Sequence, residues 1–251
     1  MNKKDFTHFG FKTVPSSEKP ELVKNLFNSV SNNYDLMNDL MSITLHRKWK
    51  NKLVERVRLK NSISILDVAS GTGDLSIRLA KKISDKKFLA NIYSLDVTHS
   101  MIEIGRDKLV DKGLLNFVNY VNADATKLPI KSRSIDTYII AFGIRNITEI
   151  GSALNEAYRV LKPGGQFLCL EFSKVIPSLE KIYDFYSFKF IPTLGEIIAN
   201  DRDSYKYLVE SIRKFPDQKK YSQFLIESGF EKVKYENLSG GIAAIHSGWR
   251  I

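Results

Sequence analysis

The sequence predicts an α/β protein whose sheet is assembled from βαβ units, and three observations carry that prediction. From residue 63 onward, short β-type runs alternate with helical segments. The first run, 63–68, passes through the small-residue turn Ala69-Ser70-Gly71-Thr72-Gly73 straight into a helix beginning near Asp74. The chain then closes on two strand-like runs, 233–238 and 242–246, joined by Ser239-Gly240-Gly241 as a hairpin turn.

In chain order, residues 20–58 read as helical. Leu22, Val23, Leu26, Phe27 and Val30 share one face, and a second amphipathic stretch runs from His46 through Trp49 and Leu53 to Val57. This helical region, 1–60, precedes a core predicted over 61–251. Core strands are expected at 63–68, 92–96, 117–122, 135–141 and 166–172, with helices starting near Asp74, Ser100 and Ile150. The last of these helices must stop before Lys162-Pro163-Gly164-Gly165, because proline and glycine end helices. A helix over 218–228 with a Gly229 stop leads into the closing hairpin. Residues 174–216 form an aromatic-rich insertion. There Leu179, Ile182, Tyr183, Tyr186 and Phe190 keep helical spacing and are expected to pack inward. Phe185 and Phe188 point elsewhere, either into the core or as a wall for an apolar ligand.

With 251 residues, 43% of them hydrophobic and 26% charged, the chain has the composition of a globular protein with one principal core. The single cysteine, Cys169, lies in an apolar run, so neither a disulfide nor a cysteine-rich metal site is expected, and a reducing, cytoplasmic setting fits. No run reaches the roughly 18 apolar residues of a membrane span, so contact with lipid is expected to be peripheral. The net charge of +10 favours anionic partners, but the cations are spread along the chain, and the plain reading is a solvated cationic surface.

The turn after the first strand is the main chemical signal. Small residues let backbone approach a ligand closely, and a helix N-terminus supplies unpaired N–H groups. A dinucleotide fingerprint needs G-x-G-x-x-G, yet the third position counted from Gly71 and Gly73 is Ser76. With the acid Asp67 closing the strand as well, the site suits a phosphate chain poorly. It better suits the zwitterionic methionine end of S-adenosylmethionine. Asp96 closes the next strand, 23 positions after Gly73, where a carboxylate can accept both hydroxyls of a ribose. The third strand ends in Asn122-Ala123-Asp124-Ala125, where Asp124 either accepts the adenine amine or caps a helix.

Nucleic acid is not the expected substrate. The fourth strand is followed by Ala141-Phe142-Gly143-Ile144-Arg145-Asn146, without the Pro-Pro-aromatic motif of enzymes that methylate base amines. Cys169 follows Leu168 and not the proline of a cytosine-carbon nucleophile.

Two segments make the chain resemble the ubiquinone/menaquinone biosynthesis C-methyltransferases. One is Tyr34-Asp35-Leu36-Met37-Asn38-Asp39-Leu40-Met41-Ser42, continuing to His46 and Trp49. The other is Arg159-Val160-Leu161-Lys162-Pro163-Gly164-Gly165, continuing to Glu171-Phe172-Ser173. The likeness extends over nearly the whole chain, taking in His8 to Lys12, Phe142 to Asn146 and Ala199-Asn200-Asp201. It implies a class I methyltransferase fold, Rossmann-like and α/β, with a mostly parallel seven-stranded sheet and helices on both faces. It further implies S-adenosylmethionine as cofactor and a prenylated quinol as acceptor. By position, cofactor contacts carry over to Thr72, Asp96, Asp124 and Ala125, beside Asp67, Gly71 and Gly73. Two departures are Ser70, where many relatives have glycine, and Ala141, where serine is frequent.

For the reaction, the quinol must be reduced, because its ring carbon is then enol-like and nucleophilic. Arg145 and Asn146 are the candidates for gripping its oxygens, with Arg145 stabilising developing phenolate charge. Tyr34 and His46 are candidates for relaying the proton, although a lone histidine is more often structural. The helical region 1–60 is expected to cover the substrate. Besides the quinol, the candidate partners are an anionic membrane surface on the inner face, other quinone-biosynthesis enzymes and a second copy of the chain.

Overall fold

The computed structural model describes residues 5–31, 36, 38, 39, 42, 44–190, 193, 196 and 201–251. An N-terminal hairpin, β1 (Phe6–Phe9) and β2 (Lys12–Pro15), comes first. It was not anticipated, since its two short strands lack a hydrophobic alternation long enough to read. Gly10, with φ +61°, makes its turn. Helices α1 (Lys19–Val30) and α2 (Leu45–Arg56) follow, as the periodicity predicted, and bury Val23 and Val30, then Trp49, Leu53 and Val54.

The core then alternates: β3 (Ile63–Val68), α3 (Asp74–Asp85), β4 (Ala90–Asp96), α4 (His99–Asp111), β5 (Val118–Asn122), β6 (Ile135–Ala141), α5 (Ile150–Val160) and β7 (Leu161–Phe172). After β7 come α6 (Pro177–Phe185), a π-helical turn over Tyr186–Phe190, α7 (Arg202–Lys214) and α8 (Gln218–Glu227). The chain ends with β8 (Glu231–Leu238) and β9 (Ala243–Trp249). The sheet order is β5-β4-β3-β6-β7-β9-β8. The pairs among β3 to β7 are parallel, and β9 is antiparallel to both β7 and β8. This is the expected seven-stranded, mostly parallel sheet.

Alternation along each strand divides the core into two halves, one on each sheet face. Ile63, Ile65, Ile139, Leu168 and Leu170 join α2 and α3 on one side. Leu66, Val68, Tyr138, Ile140, Phe167 and Cys169 join α5 and α8 on the other. The Lys162 to Gly165 turn is present, but inside β7: pairing with β6 jumps from Ile135–Leu161 to Thr137–Gln166, so the turn loops out as a bulge. Gly164 there has φ +77°.

In the insertion, Tyr183 is buried as predicted. Leu179 is not, because it rests over Gly240 at the rim with much of its surface in solvent. Phe185 and Phe188 are 59% and 42% exposed, which excludes the core for both. Among the described residues no helix is long and apolar enough to cross a membrane.

Candidate active site

The site opens where β3 and β6, adjacent at the centre of the sheet, leave it at their carboxyl ends, the place where open α/β sheets bind ligands. Both strands exit through a non-glycine residue in the left-handed region, Ala69 at φ 50° and Phe142 at φ 57°. Such backbone costs on the order of 1–3 kcal/mol per residue and persists only where the surroundings enforce it. Both residues line a cavity of about 290 Å³. Gly143 permits the arrangement, for a Cβ at that position would lie 2.4 Å from the Ala69 methyl.

One half of the cavity gathers Gly71, Asp96, Asp124 and Ala125, which the sequence had placed on three separate strand ends. The Asp96 carboxylate organises this half. Its Oδ2 accepts from the Gly71 N–H at 2.8 Å and its Oδ1 from the Thr98 N–H at 2.8 Å. Burial pushes this carboxyl above its ordinary value, and the two N–H donors partly offset that. The carboxylate lines the cavity, where ribose hydroxyls can reach it. Asp124 does not cap a helix. Its Oδ1 accepts from the Thr126 N–H (2.7 Å) and hydroxyl (2.8 Å), which ties a tight turn that presents Ala125.

Thr72 is buried and does not line the cavity, while Gly73, at φ +76°, is the bend from which α3 departs. This loop is pressed on Gly105 of α4, where a Cβ would sit 3.1 Å from the Thr72 carbonyl carbon. Gly105 thus lets α4 close against the turn. Its only trace in the sequence is a lone glycine inside a helical pattern.

Asp67 is fully buried under the same turn and does not line the cavity. Its Oδ2 accepts from the Ser76 hydroxyl at 2.7 Å, whereas Oδ1 has no partner, and the buried Ser70 hydroxyl has none either. An unpaired buried polar group costs about 1–3 kcal/mol. Neither atom lines the cavity, so the fit to S-adenosylmethionine rests on Asp96, Asp124 and the backbone of Gly71.

Desolvation pushes the Asp67 carboxyl up to about 7, whereas an unfolded aspartate titrates near ~3.9. The folded chain therefore holds this proton more tightly, a contribution complete below about pH 4 and lost as the pH rises to about 7. Asp67→Asn, which cannot ionise, is expected to gain in Tm over the parent at about pH 8 and to gain little near about pH 4. Differential scanning fluorimetry at both pH values checks this, and an equal offset at the two would contradict it.

The opposite half of the cavity is made by the N-terminal region: Pro20, Val23 and Phe27 of α1 form an apolar wall facing Asn146 and Thr148. Tyr34 lies outside the described residues. Asn146 lines the cavity, with its Oδ1 accepting from the Tyr207 hydroxyl at 3.0 Å. Its neighbour Arg145 is not a lining residue. The guanidinium is buried in an ion pair with Glu171 (Nη1 to Oε1, 3.0 Å) and donates to the Phe142 carbonyl. The expectation that Arg145 grips the ligand directly is therefore revised: its guanidinium is held by Glu171, brought over by β7.

His46 is likewise turned away. Its Nε2 lies 2.8 Å from Asp39 Oδ1, and burial, followed by the charge of Lys50, holds the imidazole below its ordinary value. It does not line the cavity, so the structural reading of this histidine replaces the relay.

The seven-stranded sheet, the glycine turn and the acids on successive strand ends define a class I S-adenosylmethionine-dependent methyltransferase. A solved S-adenosylmethionine-dependent methyltransferase of Aquifex aeolicus shares the fold, with a TM-score of 0.58 at 18% identity over 80% of this chain and 89% of that one. The chain belongs to the ubiE/COQ5 methyltransferase family, whose profile matches residues 12–250. It is 49% identical to the ubiquinone/menaquinone biosynthesis C-methyltransferase UbiE of Brucella canis, over 97% of this chain and 90% of that protein. The UbiE protein of Bartonella tribocorum is also 49% identical, over 97% and 94% respectively.

Proposed function

We propose that the chain methylates a ring carbon of a prenylated quinol, demethylmenaquinol or 2-methoxy-6-polyprenyl-1,4-benzoquinol, in menaquinone and ubiquinone biosynthesis. The observation that carries this reading is one cavity joining Asp96 and Asp124 to the apolar wall of α1 and to Asn146. A nucleoside and a greasy aromatic ring can share it. When bound, S-adenosylmethionine supplies a sulfonium-activated methyl: the ring carbon bonds to it, the electron pair of the broken S–CH3 bond stays on sulfur, and the ring proton leaves to water.

The protein's own work is placement, and alignment of well-oriented reactants is worth about 7 to 11 kcal/mol. Asp96 holds the ribose, and Asp124 and Ala125 border the adenine. Asn146 holds a quinol oxygen. Arg145, one residue back, is ion-paired with Glu171 and donates to the Phe142 carbonyl, so it fixes the turn that presents Asn146. The wall of Pro20, Val23 and Phe27 excludes water from the ring, which gives the N-terminal region its substrate-covering role.

The purified chain is expected to transfer labelled methyl from S-adenosylmethionine to reduced demethylmenaquinone. Cofactor binding without methylation of either quinol would replace this reading by that of a cofactor-binding component or of an enzyme for another phenol.

The prenyl tail calls for an apolar exit, and peripheral attachment to an anionic membrane fits the net charge of +10 and the exposed Phe185 and Phe188 between Lys181 and Lys189. Co-sedimentation with phosphatidylglycerol vesicles at low salt is expected, and its absence would count against the attachment.

A further inference from the structure

We propose that Tyr207 is a positioning residue for methyl transfer, setting the side-chain amide of Asn146 so that its NH2 faces the substrate, and that the N-terminal hairpin holds Tyr207 in place. This rests on the reading of Asn146 as the group that meets a quinol oxygen. An amide has a donor end and an acceptor end of nearly the same shape. Which end enters the cavity decides whether Asn146 attracts or repels an oxygen that is gaining negative charge.

Tyr207 decides it. Its hydroxyl, carried by α7, donates to Asn146 Oδ1 at 3.0 Å, and among the described residues Asn146 Nδ2 has no acceptor. The reverse orientation would oblige the phenol to accept, leaving its own proton without a partner in a buried site, which is unfavourable. The phenol keeps its proton across the working pH range, because desolvation pushes it up to about 12.

The hairpin grips α7 at this point and again one turn on. Phe9 stacks on the Tyr207 ring with centroids 4.2 Å apart and planes at 26°. The Phe11 N–H donates to Glu210 Oε2 at 2.9 Å. Gly10 between them allows the approach, since a Cβ there would fall 2.4 Å from the same oxygen. A segment distant from the cofactor in the chain thus reaches the reacting ring through Phe9, Tyr207 and Asn146.

The test is a double-mutant cycle on the full chain with S-adenosylmethionine and demethylmenaquinol. Tyr207→Phe removes only the hydroxyl and keeps the ring for Phe9. It is expected to lower kcat about tenfold or more, with affinity for S-adenosylhomocysteine within about twofold of the parent. Asn146→Ala is expected to lower kcat further, about a hundredfold, and adding Tyr207→Phe to it should then change nothing. Phe9→Leu, which loosens the ring but spares the hydroxyl, should also lower kcat in the parent and be silent in Asn146→Ala.

A silent Tyr207→Phe beside a damaging Asn146→Ala overturns the inference alone, as does a Tyr207→Phe penalty of the same size in both backgrounds. A harmless Asn146→Ala overturns the reading of Asn146 and this inference with it.

Discussion

Glu171→Ala is expected to cost about 3 to 5 kcal/mol of folding stability, the range for removing one partner of a buried ion pair. The side chains of Glu171 and Arg145 are 0% and 3% exposed, so water cannot replace the lost carboxylate. Glu171 also accepts from the Phe172 N–H at 2.9 Å and from the Arg145 N–H, so its loss strands a guanidinium and two backbone donors together. Burial pushes the Glu171 carboxyl up, and the charge of Arg145 opposes part of that rise. Removing both charges should therefore be gentler than removing one, and Arg145→Ala/Glu171→Ala is expected to be more stable than the two single losses sum to. Urea denaturation of the three variants measures this, and strict additivity would mean that the pair is not coupled. In the assay, Arg145→Ala should lower turnover about tenfold or more, because the turn that presents Asn146 loses its clamp, while cofactor affinity stays within a few-fold. Turnover equal to the parent's would remove Arg145 from the catalytic account.

Asp96→Ala is expected to weaken S-adenosylmethionine binding about a hundredfold or more. Hydrogen bonds to a charged group contribute roughly 1.5–3 kcal/mol each, and a ribose offers two hydroxyls to this one carboxylate. The same substitution frees the Gly71 and Thr98 N–H groups that Asp96 now holds, so the glycine turn also loses its tether. Asp96→Asn removes the charge but keeps one carbonyl acceptor, with its NH2 against one of the two N–H donors, and should fall between the parent and alanine, roughly thirtyfold weaker at about one fewer kcal/mol for each of the two ribose bonds. Titration calorimetry with S-adenosylhomocysteine reads both variants, and unchanged affinity in Asp96→Ala would dismantle the assignment of this cavity half.

Much of this was open to inspection in the chain before any coordinates. Short β-type runs at 63–68 and 135–141 mark strands buried on both faces, and Gly71 and Gly73 mark a turn that no other residues would make as readily. The acids at 67, 96 and 124 are legible because they sit at the carboxyl ends of such runs, where position alone brings them to one edge. These are local signals, in which each residue's meaning depends on neighbours a few positions away.

The partners were not local, and so they stayed hidden. Nothing near Arg145 announces Glu171, 26 residues on, or Tyr207 beside Asn146, 61 residues on. The left-handed bends at Ala69 and Phe142 leave no glycine to read, because packing imposes them, not the preference of those residues. Pattern along the chain therefore decided which edge carries the chemistry. Which charges face the ligand and which face one another was settled only in the tertiary structure, where burial out of water set Arg145 against Glu171 and left Asp96 at the cavity.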